Sequence, residues 1–241
     1  MTDNAHQQPQ GRSRPDVGVI IVAAGSGSRT GSSELKQFRW VAGKPMLLHS
    51  LQTFQDRPDV SLVVCVLPRS HAGDPPPWIF QSDHDRLAIT VGGRTRGESV
   101  IAGLQELGDE CRVVLVHDAA RPLVPPDVID RVVTAARAGT GAVAALPVTD
   151  TIKEVDDEGR IVRTVERTRL WRAQTPQGFP REMIDRAYFE ARRERVELTD
   201  DAAVCERMGF PVVVVRGSER SLKVTEEPDF ARAEAIAGLD R

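Results

Sequence analysis

The stretch V-G-V-I-I-V-A-A-G-S-G-S-R-T-G, Val17 to Gly31, decides how the rest of the chain is read. It opens as an apolar run, Val17 to Val22, interrupted only by Gly18. A run of that kind fits a strand buried on both faces, as in a parallel sheet. It breaks into a loop of small residues, Gly25, Ser26, Gly27, Ser28 and Gly31, followed by the cations Arg29 and Lys36. Small residues let backbone N–H groups approach a phosphate without a Cβ in the way. Strand, small-residue loop and fixed positive charge together suit a polyphosphate. Two familiar phosphate loops are excluded. The pattern G-x-G-x-x-G fails at Thr30, and no Lys directly follows the glycines as G-x-x-x-x-G-K-[ST] requires.

Working outward, Lys44 to Gln55 reads as a helix with Met46, Leu47, Leu48, Leu51 and Phe54 on one apolar face and Pro45 in its first turn. Val60 to Leu67 is a strand. Pro68 to Arg86, with three consecutive prolines from Pro75, reads as irregular. Leu87 to Val91 is a strand ending in Gly92-Gly93, and a helix follows from about Ser99 to Leu107, with Ser99 as its N-cap. Arg112 to Val116 is a strand running into His117-Asp118. Pro125 and Pro126 open a helix to about Ala138, and Gly141 to Leu146 is the next strand. This alternation predicts an α/β fold, a Rossmann-like and mostly parallel sheet with helices on both faces. Ligands in such sheets sit at the carboxyl ends of the strands. The loops at Gly25, Gly92-Gly93 and His117-Asp118 all lie there and should line one crevice.

Pro147 to Phe179 breaks the alternation. Thr151 to Val155 and Arg160 to Val165, joined at Asp156 to Gly159, read as a β-hairpin arm within about residues 147–172. Such an insertion has little core of its own, and a second subunit is its simplest partner. Helices follow near Pro180 to Arg193 and Thr199 to Met208, with Thr199 as N-cap, then a strand at Val212 to Val215 and a helix at Glu227 to Ala237. Residues 1–16 read as a disordered polar tail, and 17–241 as a single domain. A net charge of −3 gives no basic field for nucleic acid, and no apolar run reaches the length of a membrane span. Cys65, Cys111 and Cys205 form no C-x-x-C pair and fit reduced thiols in a cytoplasmic protein.

Five separated motifs converge on one family: A-A-G-S-G-S-R at Ala23 to Arg29; L-K-Q-F at Leu35 to Phe38; G-G-R-T-R-G-E-S-V at Gly92 to Val100; V-H-D-A-A-R-P at Val116 to Pro122; and the downstream set D-T-I-K, T-P-Q, T-D-D and L-K-V-T. The sequence resembles the 2-C-methyl-D-erythritol 4-phosphate cytidylyltransferase family from about Val17 to Ala237. The resemblance implies transfer of CMP from CTP to methylerythritol phosphate, with attack of a substrate phosphate oxygen on the α-phosphorus and loss of pyrophosphate. A phosphate monoester with a second pKa of about 6 is already a good nucleophile, so positioning and fixed cations matter more than a general base.

By the same resemblance Arg29 and Lys36 stabilise triphosphate charge, and Arg167 and Lys223 position the attacking phosphate. Ala23, Ala24, Gly25, Gly93 and Ser99 read the cytosine, and Arg96 either reaches the triphosphate or only supports its loop. Asp118 and Arg121 face the sugar alcohol, as do Thr151 and Thr199; Asp118 could instead help place Mg²⁺, held mainly by the CTP phosphates. Two acids beside Thr199, Asp200 and Asp201, argue against a phosphate at that helix end. His117 reads as structural, since no second His stands at ligand spacing. The arm of the family crosses a homodimer, which would send Thr151 and Arg167 to the partner's site. Leu35, where the family often has Pro, and Thr30 depart from its pattern without removing charge. Two other readings stand beside this one: a cytidylyltransferase for another polyol phosphate such as ribitol 5-phosphate, and a nucleotide-binding regulator without turnover.

Overall fold

The computed structural model describes residues 14–25, 35–196 and 199–239. The proposed tail up to residue 13 and the loop residues 26–34, Arg29 included, lie outside the described residues. Strand β1 (Val17–Val22) is followed by a short 3-10 turn (Lys36–Phe38), the two-residue strands β2 (Trp40–Val41) and β3 (Lys44–Pro45), and helix α1 (Met46–Gln55). Pro45 therefore ends β3 and precedes the helix rather than lying in its first turn. Then come β4 (Val60–Leu67), α2 (Arg69–Ala72), β5 (Leu87–Val91), α3 (Arg96–Glu106), β6 (Val113–Asp118), α4 (Pro126–Arg137) and β7 (Gly141–Pro147). The segment expected to be irregular, 68–86, holds α2 and two 3-10 turns, and its Ile79 is fully buried in the core.

The apolar runs do form a sheet covered on both faces. Its order is β11-β7-β10-β6-β1-β4-β5, where β10 is Trp171–Pro180 and β11 is Val212–Arg216. Alternation along each strand divides the core in two. Val19, Ile21 and Leu115 face α1 and α4, packing with Leu47, Leu51, Phe54, Ile129 and Val132. Ile20, Val114 and Val116 face the other way, onto Val100 and Leu104 of α3 and Ile184, Ala187 and Tyr188 of α5 (Arg181–Glu194). The remaining helices are α6 (Asp201–Arg207) and α7 (Glu227–Gly238), the latter packing Phe230 and Ala233 against Val41 and Met46.

The hairpin forms as β8 (Ile152–Val155) paired antiparallel with β9 (Ile161–Val165), and Gly159 takes the positive φ, +79°, at its turn. The alternation pattern missed β10. This strand runs antiparallel between β6 and β7 and closes the sheet behind the arm. Its Gln174, Thr175 and Gln177 are buried polar residues, so it carries no apolar signature.

Candidate active site

Three loops at strand carboxyl ends build one cavity of about 260 Å³, as the topology required. Ala24 and Gly25 follow β1, Gly93 and Ser99 follow β5, and Asp118 ends β6; Lys223 closes the side. The loop after β1 is anchored twice. The Ala23 N–H donates to the Val66 carbonyl at 2.9 Å, and the Gln37 side chain donates to the carbonyls of Ala23 at 2.6 Å and Gly25 at 3.3 Å. Gln37 is almost fully buried. In the K-Q pair the lysine carries the visible charge, but the glutamine fixes where the glycine loop begins. Lys36 precedes it, half-buried, at the edge of residues 26–34.

At the second loop Thr95, not Ser99, caps α3. Its Oγ1 accepts from the Glu98 N–H at 3.1 Å, and the helix starts at Arg96. Ser99 sits one turn inside, and its hydroxyl donates to the Thr95 carbonyl at 3.0 Å while lining the cavity. Gly92 is needed there for close approach. A Cβ on it would stand 2.2 Å from the Ala24 Cβ and 2.9 Å from the Ser99 Oγ. Gly92→Val is therefore expected to spread the base-sized wall and to weaken CTP binding by more than tenfold while the far end of the sheet keeps its hydrogen-exchange protection; unchanged affinity in a calorimetric titration would contradict this packing.

Asp118 is the electrostatic centre. Its carboxylate lies 2.9 Å from Lys223 Nζ, 3.6 Å from Arg96 Nε and 3.7 Å from Arg121 Nε. Burial alone would push this carboxyl up, but Lys223, Arg96 and Arg121 outweigh it and hold it well below the usual carboxylate range. Arg96 itself is committed elsewhere. It lines the cavity but forms a two-pronged pair with the fully buried Asp201, at 2.9 and 2.7 Å, and Tyr188 adds its hydroxyl to the same carboxylate at 2.6 Å. Arg96 thus ties the loop to α6 while still lining the cavity, a placement that serves either of the two roles expected for it. Arg121 is buried and donates to the Ser221 carbonyl at 2.7 Å, while its Nε makes no hydrogen bond among the described residues.

His117 is structural, as read from the sequence. The Asp118 N–H donates to Thr175 Oγ1 at 3.0 Å, so that hydroxyl is free to donate to His117 Nδ1 at 3.2 Å; His117 Nε2 lies 3.1 Å from the Arg121 carbonyl, which can only accept. The ring is therefore neutral with its proton on Nε2. Burial pushes His117 down to about 4 from its ordinary 6.5. The unfolded chain takes up this proton first, so the contribution to stability falls as pH drops from 6.5 through about 4. Nitrogen-detected NMR should show the Nε2–H tautomer unchanged at pH 5.5, and a protonated ring there would refute the network.

The remaining expected site residues lie apart. Thr151 and Arg167 are exposed on the arm, and neither lines the cavity. Thr199 is exposed beside α6, whose N-cap is Asp200: its carboxylate accepts from the Ala203 N–H at 2.9 Å. All three cysteines are buried and free, and burial pushes Cys65 and Cys205 up to about 12, which leaves no thiolate nucleophile there.

A sequence model of the family described as IspD, 2-C-methyl-D-erythritol 4-phosphate cytidylyltransferase, matches residues 17–238. The chain is 40% identical over 231 residues to the 2-C-methyl-D-erythritol 4-phosphate cytidylyltransferase of Syntrophus aciditrophicus, covering 92% of this chain and 96% of that protein. Its identity to the Streptomyces coelicolor enzyme of the same name is 41% over 241 residues, covering 96% and 88%. Among crystal structures, that of 2-C-methyl-D-erythritol 4-phosphate cytidylyltransferase from Thermus thermophilus is similar with a TM-score of 0.78 at 34% identity, covering 92% of this chain and 99% of that one.

Proposed function

We infer the reaction from a premise these matches establish: this chain belongs to the 2-C-methyl-D-erythritol 4-phosphate cytidylyltransferase family. It transfers CMP from CTP to 2-C-methyl-D-erythritol 4-phosphate and releases pyrophosphate, a step of non-mevalonate isoprenoid synthesis. The observation that carries the chemistry is the small cavity with Ala24, Gly25, Gly93 and Ser99 as its wall and the Asp118–Lys223 pair at its side.

In this reading the cytosine lies against the wall, where main-chain groups can read its edge and little room is left for a purine. Lys223, at the side of the cavity, takes the oxygens of the incoming phosphate; Asp118 holds Lys223 in place, and the buried Arg121 adds positive charge behind Asp118. Lys36, with Arg29, takes up triphosphate charge as the bond to pyrophosphate breaks. Mg²⁺ supplies further neutralisation of that charge when bound. Among the described residues no cluster of three acids, histidines or cysteines could cage a cation, and Asp118 is already compensated by three cations. That donor set fits a metal held by phosphate oxygens and water, not one seated on Asp118.

The arm supports a homodimer. Val155, Ile161 and Val162 are each more than half exposed, an apolar surface that a second copy would cover. Thr151 and Arg167 would then complete the partner's site. The three free cysteines suit the reducing conditions of a cytoplasm. No helix among the described residues is long and apolar enough to cross a membrane.

The test is pyrophosphate release with CTP and Mg²⁺, offering 2-C-methyl-D-erythritol 4-phosphate and ribitol 5-phosphate in parallel. Release is expected with the first and to fall sharply in Lys36→Ala. Release with ribitol 5-phosphate alone would keep the chemistry and reassign the acceptor, and CTP binding without release would make the protein a regulator.

A further inference from the structure

Behind the loop that walls the nucleotide cavity lies a second cavity of about 700 Å³, between α3, α5 and α6. Its size falls within the ~300–1,000 Å³ range of small-molecule sites. The floor is apolar, made by Ile101, Ala191, Val196 and Val204. The rim carries Arg94, Arg192 and Arg195, all exposed. Among the described residues none of these three guanidinium groups forms an ion pair or a hydrogen bond. Among the described residues one carboxylate, Glu98, lines the same cavity, and it already accepts from the Arg94 main-chain N–H at 2.6 Å.

Another cavity differs in its charge balance. That one, about 790 Å³, lies at the opposite end of the sheet and is also lined by arginines. There Arg137 is paired with Asp16 and Asp59, and Arg181 with Asp185. Its charge is neutralised from within, whereas the cavity behind the nucleotide loop holds three cations that no described residue pairs, around an apolar floor. The chain also turns sharply to place one of them. Arg195 adopts φ +57° at the end of α5, a conformation that favours glycine, and it lines the cavity together with Arg192.

We propose that this cavity binds a small amphiphilic anion, an apolar chain ending in a phosphate group, with the phosphate on Arg94, Arg192 and Arg195 and the chain on Ile101, Ala191 and Val204. Guanidinium groups suit phosphate oxygens because their N–H pairs match two oxygens at once. A recessed pocket of this volume takes a single soluble molecule rather than a membrane surface. Residues 94–96 wall both cavities, so the ligand sits one loop from the nucleotide.

The experiment is a calorimetric titration of the full chain with octyl phosphate below its micelle concentration, with inorganic phosphate and phosphatidylglycerol vesicles as separate arms. Saturable one-to-one binding of octyl phosphate is expected, with inorganic phosphate weaker by about tenfold or more because it leaves the apolar floor uncovered. Arg192→Ala and Arg195→Gly should each weaken octyl phosphate by about tenfold, the scale of a lost charge-assisted hydrogen bond. Glycine suits the backbone at 195, so the thermal midpoint of Arg195→Gly should not fall, and weaker binding there is not a folding defect. CTP affinity, measured on the same samples, should survive both changes, which separates this site from the nucleotide site. No saturable binding, undiminished binding by both arginine variants, or binding to vesicles without binding of the monomer would each overturn the proposal.

Discussion

Replacing Asp201 by alanine is expected to cost about 3–5 kcal/mol of folding stability, the scale of a buried ion pair broken from one side. Asp201 is fully buried and accepts three hydrogen bonds, two from Arg96 and one from Tyr188. Alanine would leave the guanidinium and the Tyr188 hydroxyl without their acceptor. The Arg96 side chain is about a quarter exposed, at 27%, so it can recover some hydration, which favours the lower end of the range. Asp201→Asn keeps an acceptor for one partner and should cost less, and Tyr188→Phe should cost about 1 kcal/mol. Urea unfolding of the three variants would rank them. A second consequence distinguishes this pair from a merely structural one. Arg96 Nε already lies 3.6 Å from Asp118, so a released Arg96 would compete with Lys223 for that carboxylate. The kcat of Asp201→Asn should therefore fall even where the chain is fully folded. A loss of stability below about 1 kcal/mol in Asp201→Ala would mean that the pair is solvated rather than buried.

The same pair shows what the sequence could and could not reveal. The strands β1, β4 and β6 were legible because burial on both faces demands unbroken apolar runs, and so short a run between turn signals suits little else in a fold. The crevice was legible because a parallel sheet sends its loops to one end. Strand β10 was not, because its interior positions hold Gln174, Thr175 and Gln177. Gln174 holds both main-chain groups of Ser218, Gln177 holds Asp200 and the Ala202 N–H, and Thr175 sets the His117 tautomer. These side chains are buried as wiring between loops, and their partners lie 25 or more positions away with the exception of Asp200, 23 away. The pairing of Arg96 with Asp201 spans 105 positions and leaves no local pattern. The two cap assignments slipped for a related reason. Thr95 and Ser99, and Thr199 and Asp200, are all competent caps, and only the tertiary placement of each helix decides which one is used.

Mixing two variants that are each inactive is expected to restore activity. Arg167→Ala and Lys223→Ala should each lose about 10²–10³ in kcat, the scale of removing one charge-stabilising donor. Arg167 is exposed on the arm and absent from the cavity wall, whereas Lys223 lines it beside Asp118. If the arm serves the partner's site, a mixed dimer has one site with both lesions and one with neither. Random exchange makes half the dimers mixed, so about a quarter of wild-type activity should return. If the arm serves its own chain, every site keeps one lesion and nothing returns. Mixing Lys36→Ala with Lys223→Ala is the control, because both cations belong to the same core and no exchange can reunite them. The physical case for the crossing arm is its surface. A two-stranded hairpin that leaves Val155, Ile161 and Val162 in water is marginal on its own, and a second copy covering those side chains would supply both the arm's stability and the residues the open cavity lacks.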